Sequence, residues 1–190
     1  MNLNQRIKKI SIQVMLTPYT ILILIMGGNR QAVVCETFTF TGGKGGGSVI
    51  YPVLNSTVRT HVSFEFRGTG SGEELLLYAD DNRNGGKRRG HSMFVLVHGG
   101  QLHVILTIHG GPNMKQDETK LGHNLNDSVK HYVRINRVGT SFEIMLDGEV
   151  KTLTGLDVPL KFNSHIYVGG PPLKMKNRIF RSGDFMYSQR

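Results

Sequence analysis

The chain is poor in cysteine, from which disulfide-bonded and cysteine-zinc scaffolds are made. Its one cysteine, Cys35, excludes an internal disulfide framework, a CxxC redox pair and a zinc site built from several cysteines. Acidic residues are also few: 14 Asp and Glu stand against 23 Lys and Arg, which gives a formal net charge of +9. The 190 residues are enough for one domain with a buried core, and the sequence has no internal repeat or separate linker.

Long apolar runs are also lacking, except near the N-terminus. Three basic residues precede a mostly apolar stretch over residues 10–26, and the small pair Gly27-Gly28 follows it. This order is typical of a secretory signal peptide, predicted over residues 1–28 with cleavage as late as about residue 32. Cleavage would leave a net charge of 9 − 3 = +6. Pro18 and the polar residues beside it interrupt the apolar stretch, so it would span a membrane poorly. An uncleaved anchor and a buried helix are the alternatives to a cleaved signal.

After Cys35 the hydrophobic pattern has a period of two rather than 3.6. Val62, Phe64 and Phe66, for example, alternate with Ser63 and Glu65. This alternation is typical of a strand with one face on a core and the other in water. The segment therefore predicts β-structure.

Turn residues divide the rest of the chain into roughly ten such strands, with no convincing helix between them. Gly99-Gly100 separates two apolar runs and predicts a hairpin, as does Asp147-Gly148. The 24 glycines fall mostly in doublets of this kind. The prediction is an all-β, antiparallel β-sandwich.

A series of short motifs, each weak alone, follows in a recognisable order. They are Phe38-Thr39-Phe40, Gly45-Gly46-Gly47, Val62-Ser63-Phe64-Glu65-Phe66, Leu75-Leu76-Leu77-Tyr78, Asp80-Asp81, Gly99-Gly100-Gln101-Leu102, Asn126-Asp127, His131, Asp147-Gly148-Glu149 and Val168-Gly169-Gly170-Pro171-Pro172. This order resembles the laminin G-like (LNS) domain, and most of all the first such domain of the long neurexin form. The resemblance covers residues 36–172 and implies a jelly-roll sandwich of the laminin G and concanavalin type.

The chain departs from the family pattern at three places. Lys130 stands before His131, where the family usually has Trp or Tyr. The stretch over residues 82–90 is longer than the usual turn and predicts a protruding basic loop. Residues 173–190 form a basic tail without the Phe-x-Gly element and final strand of the family, so we expect a C-terminally truncated domain.

The resemblance also implies a calcium site at the rim of the sandwich. Many members bind Ca²⁺ through an aspartate after the Leu-Tyr strand, a carbonyl after the Gly-x-Leu turn, and a carbonyl and an Asn side chain two residues apart on a later loop. These positions look like Asp80, the Val104 carbonyl, the Lys161 carbonyl and Asn163, with Asp81 as the alternative aspartate. Oxygen ligands suit a hard cation, and so few of them imply bound water and weak, extracellular-range affinity.

Two further features suit the surface of a secreted protein. The cations Lys87, Arg88 and Arg89 would attract a polyanion, and after entry into the secretory pathway a sulfated glycan such as heparan sulfate is expected rather than nucleic acid. A solubilising loop is the alternative interpretation. N-glycosylation sequons begin at Asn55 and Asn126.

Catalytic patterns are weak by comparison. Glu143, Asp147 and Glu149 are separated by even steps, so an uninterrupted strand would place them on one face, as paired-carboxylate glycosidases require. Asp147-Gly148 is itself a good hairpin turn, however, and the sequence has no Gly-x-Ser-x-Gly elbow and no Gly-Lys-Ser/Thr phosphate loop. We therefore expect a module that is not an enzyme, with a glycosidase as the distant alternative.

The residues and the resemblance together imply an extracellular module, secreted or at the cell surface, that serves adhesion or receptor recognition, for example at a synapse. Its rim is expected to bind a protein partner with the assistance of Ca²⁺. Binding of heparan sulfate is the alternative function. No membrane span is expected after the signal peptide.

Overall fold

The computed structural model describes residues 9–15, 35–41, 49–51, 59–69, 74–81, 91–110, 113–154, 162 and 164–170. Twelve β-strands account for most of these residues. They are β1 (Lys9–Met15), β2 (Cys35–Thr41), β3 (Val49–Tyr51), β4 (Arg59–Arg67), β5 (Glu74–Asp80), β6 (Ser92–His98), β7 (Gln101–Gly110), β8 (Asn113–Leu121), β9 (His131–Val138), β10 (Ser141–Leu146), β11 (Glu149–Leu153) and β12 (Ile166–Val168). In the described part of the chain, no helix is long and apolar enough to cross a membrane.

The strands form two six-stranded sheets. The first, sheet A, has the order β11-β10-β9-β4-β1-β2, and the second, sheet B, has the order β3-β12-β5-β6-β7-β8. Every strand pair in both sheets is antiparallel. The prediction of an all-β antiparallel sandwich is confirmed.

The predicted hairpins form because their turn residues tolerate a positive φ. Gly99 and Gly100, with φ of 57° and 75°, join β6 to β7. Asp147 and Gly148, with φ of 49° and 95°, join β10 to β11. The left-handed region is open to Gly and tolerated by Asp, so both dipeptides reverse the chain within two residues.

The core lies between the two sheets and follows the alternation of the sequence. On β4 the side chains of Val62, Phe64 and Phe66 are at most 1% exposed, whereas Glu65 between them faces outward and is partly exposed. Truncation of a fully buried Phe to Ala typically costs about 3–5 kcal/mol of unfolding free energy, which is why these strands hold their register.

Sheet B is buried on both faces, and this positions the candidate site. Leu77 and Ala79 of β5 belong to the core, whereas Tyr78 belongs to a second apolar cluster with Phe94 and Ile105 on the opposite face. Because side chains two positions apart share a face, Asp80 lies on the same side of the sheet as Tyr78.

The strand β1 lies inside the segment predicted as a signal peptide. It pairs with β2 on one side and with β4 on the other. Cleavage of residues 1–28 stays a prediction, and it would remove this strand from sheet A. The tail over residues 173–190, where the truncation of the domain was predicted, lies outside the described residues.

Candidate functional site

Asp80, at the end of β5, has a buried carboxylate that is only half satisfied. The residue is 7% exposed, and its Oδ2 accepts a hydrogen bond of 2.7 Å from the Tyr78 hydroxyl. Its Oδ1 is buried and has no hydrogen-bond partner within the described part of the chain. A buried acceptor without a donor costs about 1–3 kcal/mol, and more when it is charged. A cation is the kind of group that would remove this cost.

The pKa values of two tyrosines next to Asp80 are raised, in part by its carboxylate. Burial, followed by the charge of Asp80 and the hydrogen bond to it, raises the pKa of Tyr78 far above its usual range. Burial and the same charge raise the pKa of Tyr167. The Tyr78 hydroxyl therefore stays protonated and donates to Asp80, so the aspartate is left as an acceptor of hydrogen bonds or cations.

The loop that follows β11 is tied directly to Asp80. The Ser164 N–H donates to the Asp80 carbonyl at 3.0 Å, and the Asp80 N–H donates to Ser164 Oγ at 2.8 Å. Phe162, 1% exposed, anchors this loop in the core. Lys161 and Asn163, the two predicted ligands of this loop, are the chain neighbours of Phe162 and Ser164 but lie outside the described residues.

Val104 and the alternative ligand Asp81 lie within the described residues. The strand register aligns Asp80 with Ser92, whereas Val104 is aligned with Val95 and Leu77. Three residues along a strand amount to about 10 Å, so the register does not bring Val104 next to Asp80. Asp81 follows Asp80 directly, is 6% exposed, and donates its N–H to the His91 carbonyl at 2.7 Å.

The predicted surface sites are only partly described. Asn126 is exposed in the loop between β8 and β9, where an oligosaccharide transferase could reach its side chain. Asn55 and the basic residues Lys87, Arg88 and Arg89 lie outside the described residues. Glycosylation and heparan sulfate binding at these positions stay predictions.

A cluster around His131 is structural and was not predicted as a unit. The His131 Nδ1 lies 2.7 Å from Asp147 Oδ2, and its Nε2 lies 3.2 Å from Asp127 Oδ1. The ring also packs on Phe66, with 5.4 Å between ring centroids. Through these contacts His131 fastens the loop before β9 to the turn between β10 and β11. Lys130, where the family has an aromatic residue, instead donates to Glu65 Oε2 at 2.9 Å.

The carboxylates considered for glycosidase chemistry do not face each other. Glu143 is bonded to Asn136 Nδ2 at 3.1 Å and lies opposite Thr152 in the β10–β11 hairpin. Glu149 lies opposite Leu146 and accepts a hydrogen bond of 3.1 Å from the Gly122 N–H. Opposite residues of an antiparallel pair share a face, so Glu149 lies on the face of inward-pointing Leu146 and Glu143 on the other.

Among the residues that the structure describes, no group of three or more His, Cys, Asp or Glu is placed to hold a metal ion. A site at Asp80 would therefore depend on carbonyl and amide oxygens in addition to its single carboxylate.

Comparison with known proteins identifies a family. A family model described as "Laminin G domain" matches residues 66–185, which include Asp80 and the loop around Ser164. No curated protein matches the sequence.

Solved structures resemble this chain at low sequence identity. Domains LG4-5 of the mouse laminin α1 chain match with a TM-score of 0.54 and 19% identity, over 66% of this chain and 32% of that chain. The LG1-3 region of the laminin α2 chain matches with a TM-score of 0.45 and 17% identity, over 66% and 25%. The CBM40 module of the Ruminococcus gnavus IT-sialidase, bound to α2,3-sialyllactose, matches with a TM-score of 0.47 and 12% identity. The match covers 65% of this chain and 74% of that chain. The chain thus spans 32% of the laminin α1 fragment.

Proposed function

Because the chain belongs to the laminin G domain family, we propose that it is an extracellular, non-catalytic module for adhesion or receptor recognition, similar to the laminin G-like domains of neurexins. It binds a protein partner at the rim of the sandwich, and a Ca²⁺ ion at Asp80 assists this binding. The single observation that carries the proposal is the buried Asp80 Oδ1, which has no hydrogen-bond partner in the described part of the chain.

The residues around Asp80 fit a calcium ion better than a transition metal. Asp80 supplies a carboxylate oxygen, and Asn163 and the Lys161 carbonyl are oxygen donors in the loop that Ser164 ties to Asp80. A set of this kind, without sulfur or imidazole, is the type that hard cations prefer. Ca²⁺ would supply charge and coordination here.

The position of the site suits recognition of a partner. Asp80 is the last residue of β5, and Ser164 precedes β12, so both lie where strands pass into loops. Loops at the end of a sandwich present variable side chains on a rigid scaffold. A cation bound there would fix the loop geometry and offer unfilled coordination positions to an acidic or carbonyl group of the partner.

The proposal is tested by binding of the secreted chain to a cell surface. Fluorescently labelled native protein is expected to bind cultured cells in millimolar Ca²⁺ and to be released by a calcium chelator. Asp80→Asn keeps the shape of the side chain but removes its charge, so its binding should be weak and independent of Ca²⁺.

Asp117→Asn is the matched control, because it removes one acidic charge from β8, away from the site. It should bind as the native protein does. Native binding that a chelator leaves unchanged would contradict the role of Ca²⁺, and equal binding by Asp80→Asn and the native chain would exclude Asp80 from the site.

A further inference from the structure

The strand β1 lies between β4 and β2 in sheet A. It pairs with β2 over seven residue pairs, from Lys9 to Met15, and with the segment 63–67 of β4 over five. Within the described residues β2 has no other strand partner. Sheet A therefore connects to β2 through β1 alone.

Removal of the predicted signal peptide would take β1 away and leave β4 as an edge strand. The backbone N–H and C=O groups of β4 that face β1 would then lose the partners that β1 supplies, and β2 would lose its one neighbour among the described strands. A row of unpaired backbone groups on an edge strand is a template for another strand.

The new edge would remain rigid after this loss. β4 pairs with β9 over eight residue pairs on its other side. Its inward side chains Val62, Phe64 and Phe66 are at most 1% exposed in the core. A strand held in this way is presented to a partner with little further loss of conformational entropy.

We propose that two processed copies of this chain join through β4, which pairs antiparallel with β4 of the second copy. This inference rests on the secretory processing that belongs to the proposed extracellular function. The dimer has twofold symmetry, as is usual for an interface in which one surface meets itself. Strands β11, β10, β9 and β4 of both copies then form one continuous sheet.

The central part of β4, from His61 to Glu65, is complementary to itself about Ser63, whereas Arg59 and Arg67 at the two ends would lie opposite each other. In an antiparallel pair centred there, His61 lies opposite Glu65 of the second copy, and Glu65 lies opposite the second copy's His61. On the inner face, Val62 lies opposite Phe64 of the second copy. Cross-strand pairs of an imidazole with a carboxylate, and of a β-branched with an aromatic side chain, each stabilise an antiparallel ladder.

The outward side chains of His61 and Glu65 are partly exposed, although each also has a partner within its own chain. Glu65 pairs with Lys130 at 2.9 Å, and the Glu65 side chain is still 32% exposed. His61 is partly exposed on the same face, where its Nδ1 contacts Asn136. Ser63, at the centre, is small, so its side chain does not hold the two strands apart.

The test compares two forms of the chain by light scattering after gel filtration. The processed form is collected from secreting cells, and N-terminal sequencing identifies its first residue. The full chain that retains Met1 is made without secretion. We expect a dimer for the processed form and a monomer for the full chain, in which β1 covers β4.

Charge exchange locates the interface. Glu65→Lys places a cation opposite His61 and should weaken the processed dimer about tenfold or more. The double variant His61→Glu with Glu65→His restores the pairing in reverse and should restore the dimer. Asp117→Lys, with the same charge change on β8, should remain dimeric. Circular dichroism shows that each variant is folded.

Three results would overturn the proposal. They are a processed chain that is monomeric at all concentrations, a processed chain that is unfolded, and a dimer whose stability Glu65→Lys does not change. A secreted chain that still begins at Met1 would instead refute the processing, and with it the premise, whereas the calcium-dependent cell binding of that chain could still be measured.

Discussion

At the scale of single residues, Asp80 and Asp127 show how one functional group serves two purposes in this fold. Asp80 is buried, and one of its oxygens lacks a donor within the described part of the chain. Asp127 is exposed, and its Oδ1 accepts a backbone hydrogen bond of 2.7 Å from Val129 and faces His131. The satisfied aspartate stabilises a loop, whereas the unsatisfied one fits a ligand site.

The stability of the loop before β9 should depend on pH through Asp127. The Val129 N–H, and to a lesser extent His131, hold the pKa of Asp127 below its ordinary value of 3.8. A folded-state pKa below the unfolded value stabilises the fold above the unfolded pKa, and this contribution is lost as the pH falls through the folded pKa. Asp127→Ala should therefore melt at a lower temperature than the native chain at neutral pH, with a difference that shrinks below about pH 4.

Thermal melts of both proteins from neutral pH to about pH 2 measure this difference. Asp117→Ala controls for the loss of one negative charge. The sequon at Asn126 survives in Asp127→Ala, so glycosylation does not confound the comparison. A difference in melting temperature that stays constant over the whole range would contradict the assigned role of the Asp127 carboxylate.

At the scale of elements, strands marked by alternation or by a short apolar run could be predicted from the sequence, and a strand marked by neither could not. The predicted strand around Phe64, and the strands on either side of the Gly99-Gly100 and Asp147-Gly148 turns, are all present. β8 was not predicted, because Asn113–Leu121 has hardly any apolar residue. Among the described strands it pairs with β7 alone, at the edge of sheet B. Polar residues suit an exposed edge and leave no periodic signal.

Substitution of two turn glycines separates the cost of backbone strain at positive φ from the cost of crowding by an added Cβ atom. Gly122 has φ of 66°, and a Cβ there would lie 2.6 Å from Leu146 Cδ2 and 3.1 Å from Leu125 Cδ2. Gly139 has a similar φ of 60° with nothing within 4 Å. Gly139→Ala should cost about 1 kcal/mol of unfolding free energy from backbone strain alone, and Gly122→Ala about 2–4 kcal/mol because crowding is added.

Urea unfolding of the two variants and the native chain gives these free energies. Gly139→Ala is the internal control, since both changes add the same methyl group in the same backbone region. Equal costs for the two variants would show that the Leu125 and Leu146 side chains move aside freely, contrary to the close packing described for this turn.

At the scale of the whole molecule, the fold could be predicted from the sequence more completely than the site. Asp80 and Ser164 are 84 residues apart and meet only because β5 and β12 pair in sheet B. A contact between residues so far apart leaves no pattern in the local sequence. The calcium ligands were therefore predicted from the family resemblance alone. The clamp of His131, Asp127 and Asp147 joins a loop and a hairpin turn in the same way, through pairing of β9 with β10.

Titration calorimetry of Ca²⁺ into the secreted native chain and into Asp80→Asn tests the central claim most directly. We expect one ion per native chain with a dissociation constant of about 10⁻⁴–10⁻³ M, weaker binding of Mg²⁺, and no binding to Asp80→Asn with an unchanged circular dichroism spectrum. A folded native chain that takes up no Ca²⁺ at concentrations of several millimolar, a range set by extracellular calcium modules, would contradict the account.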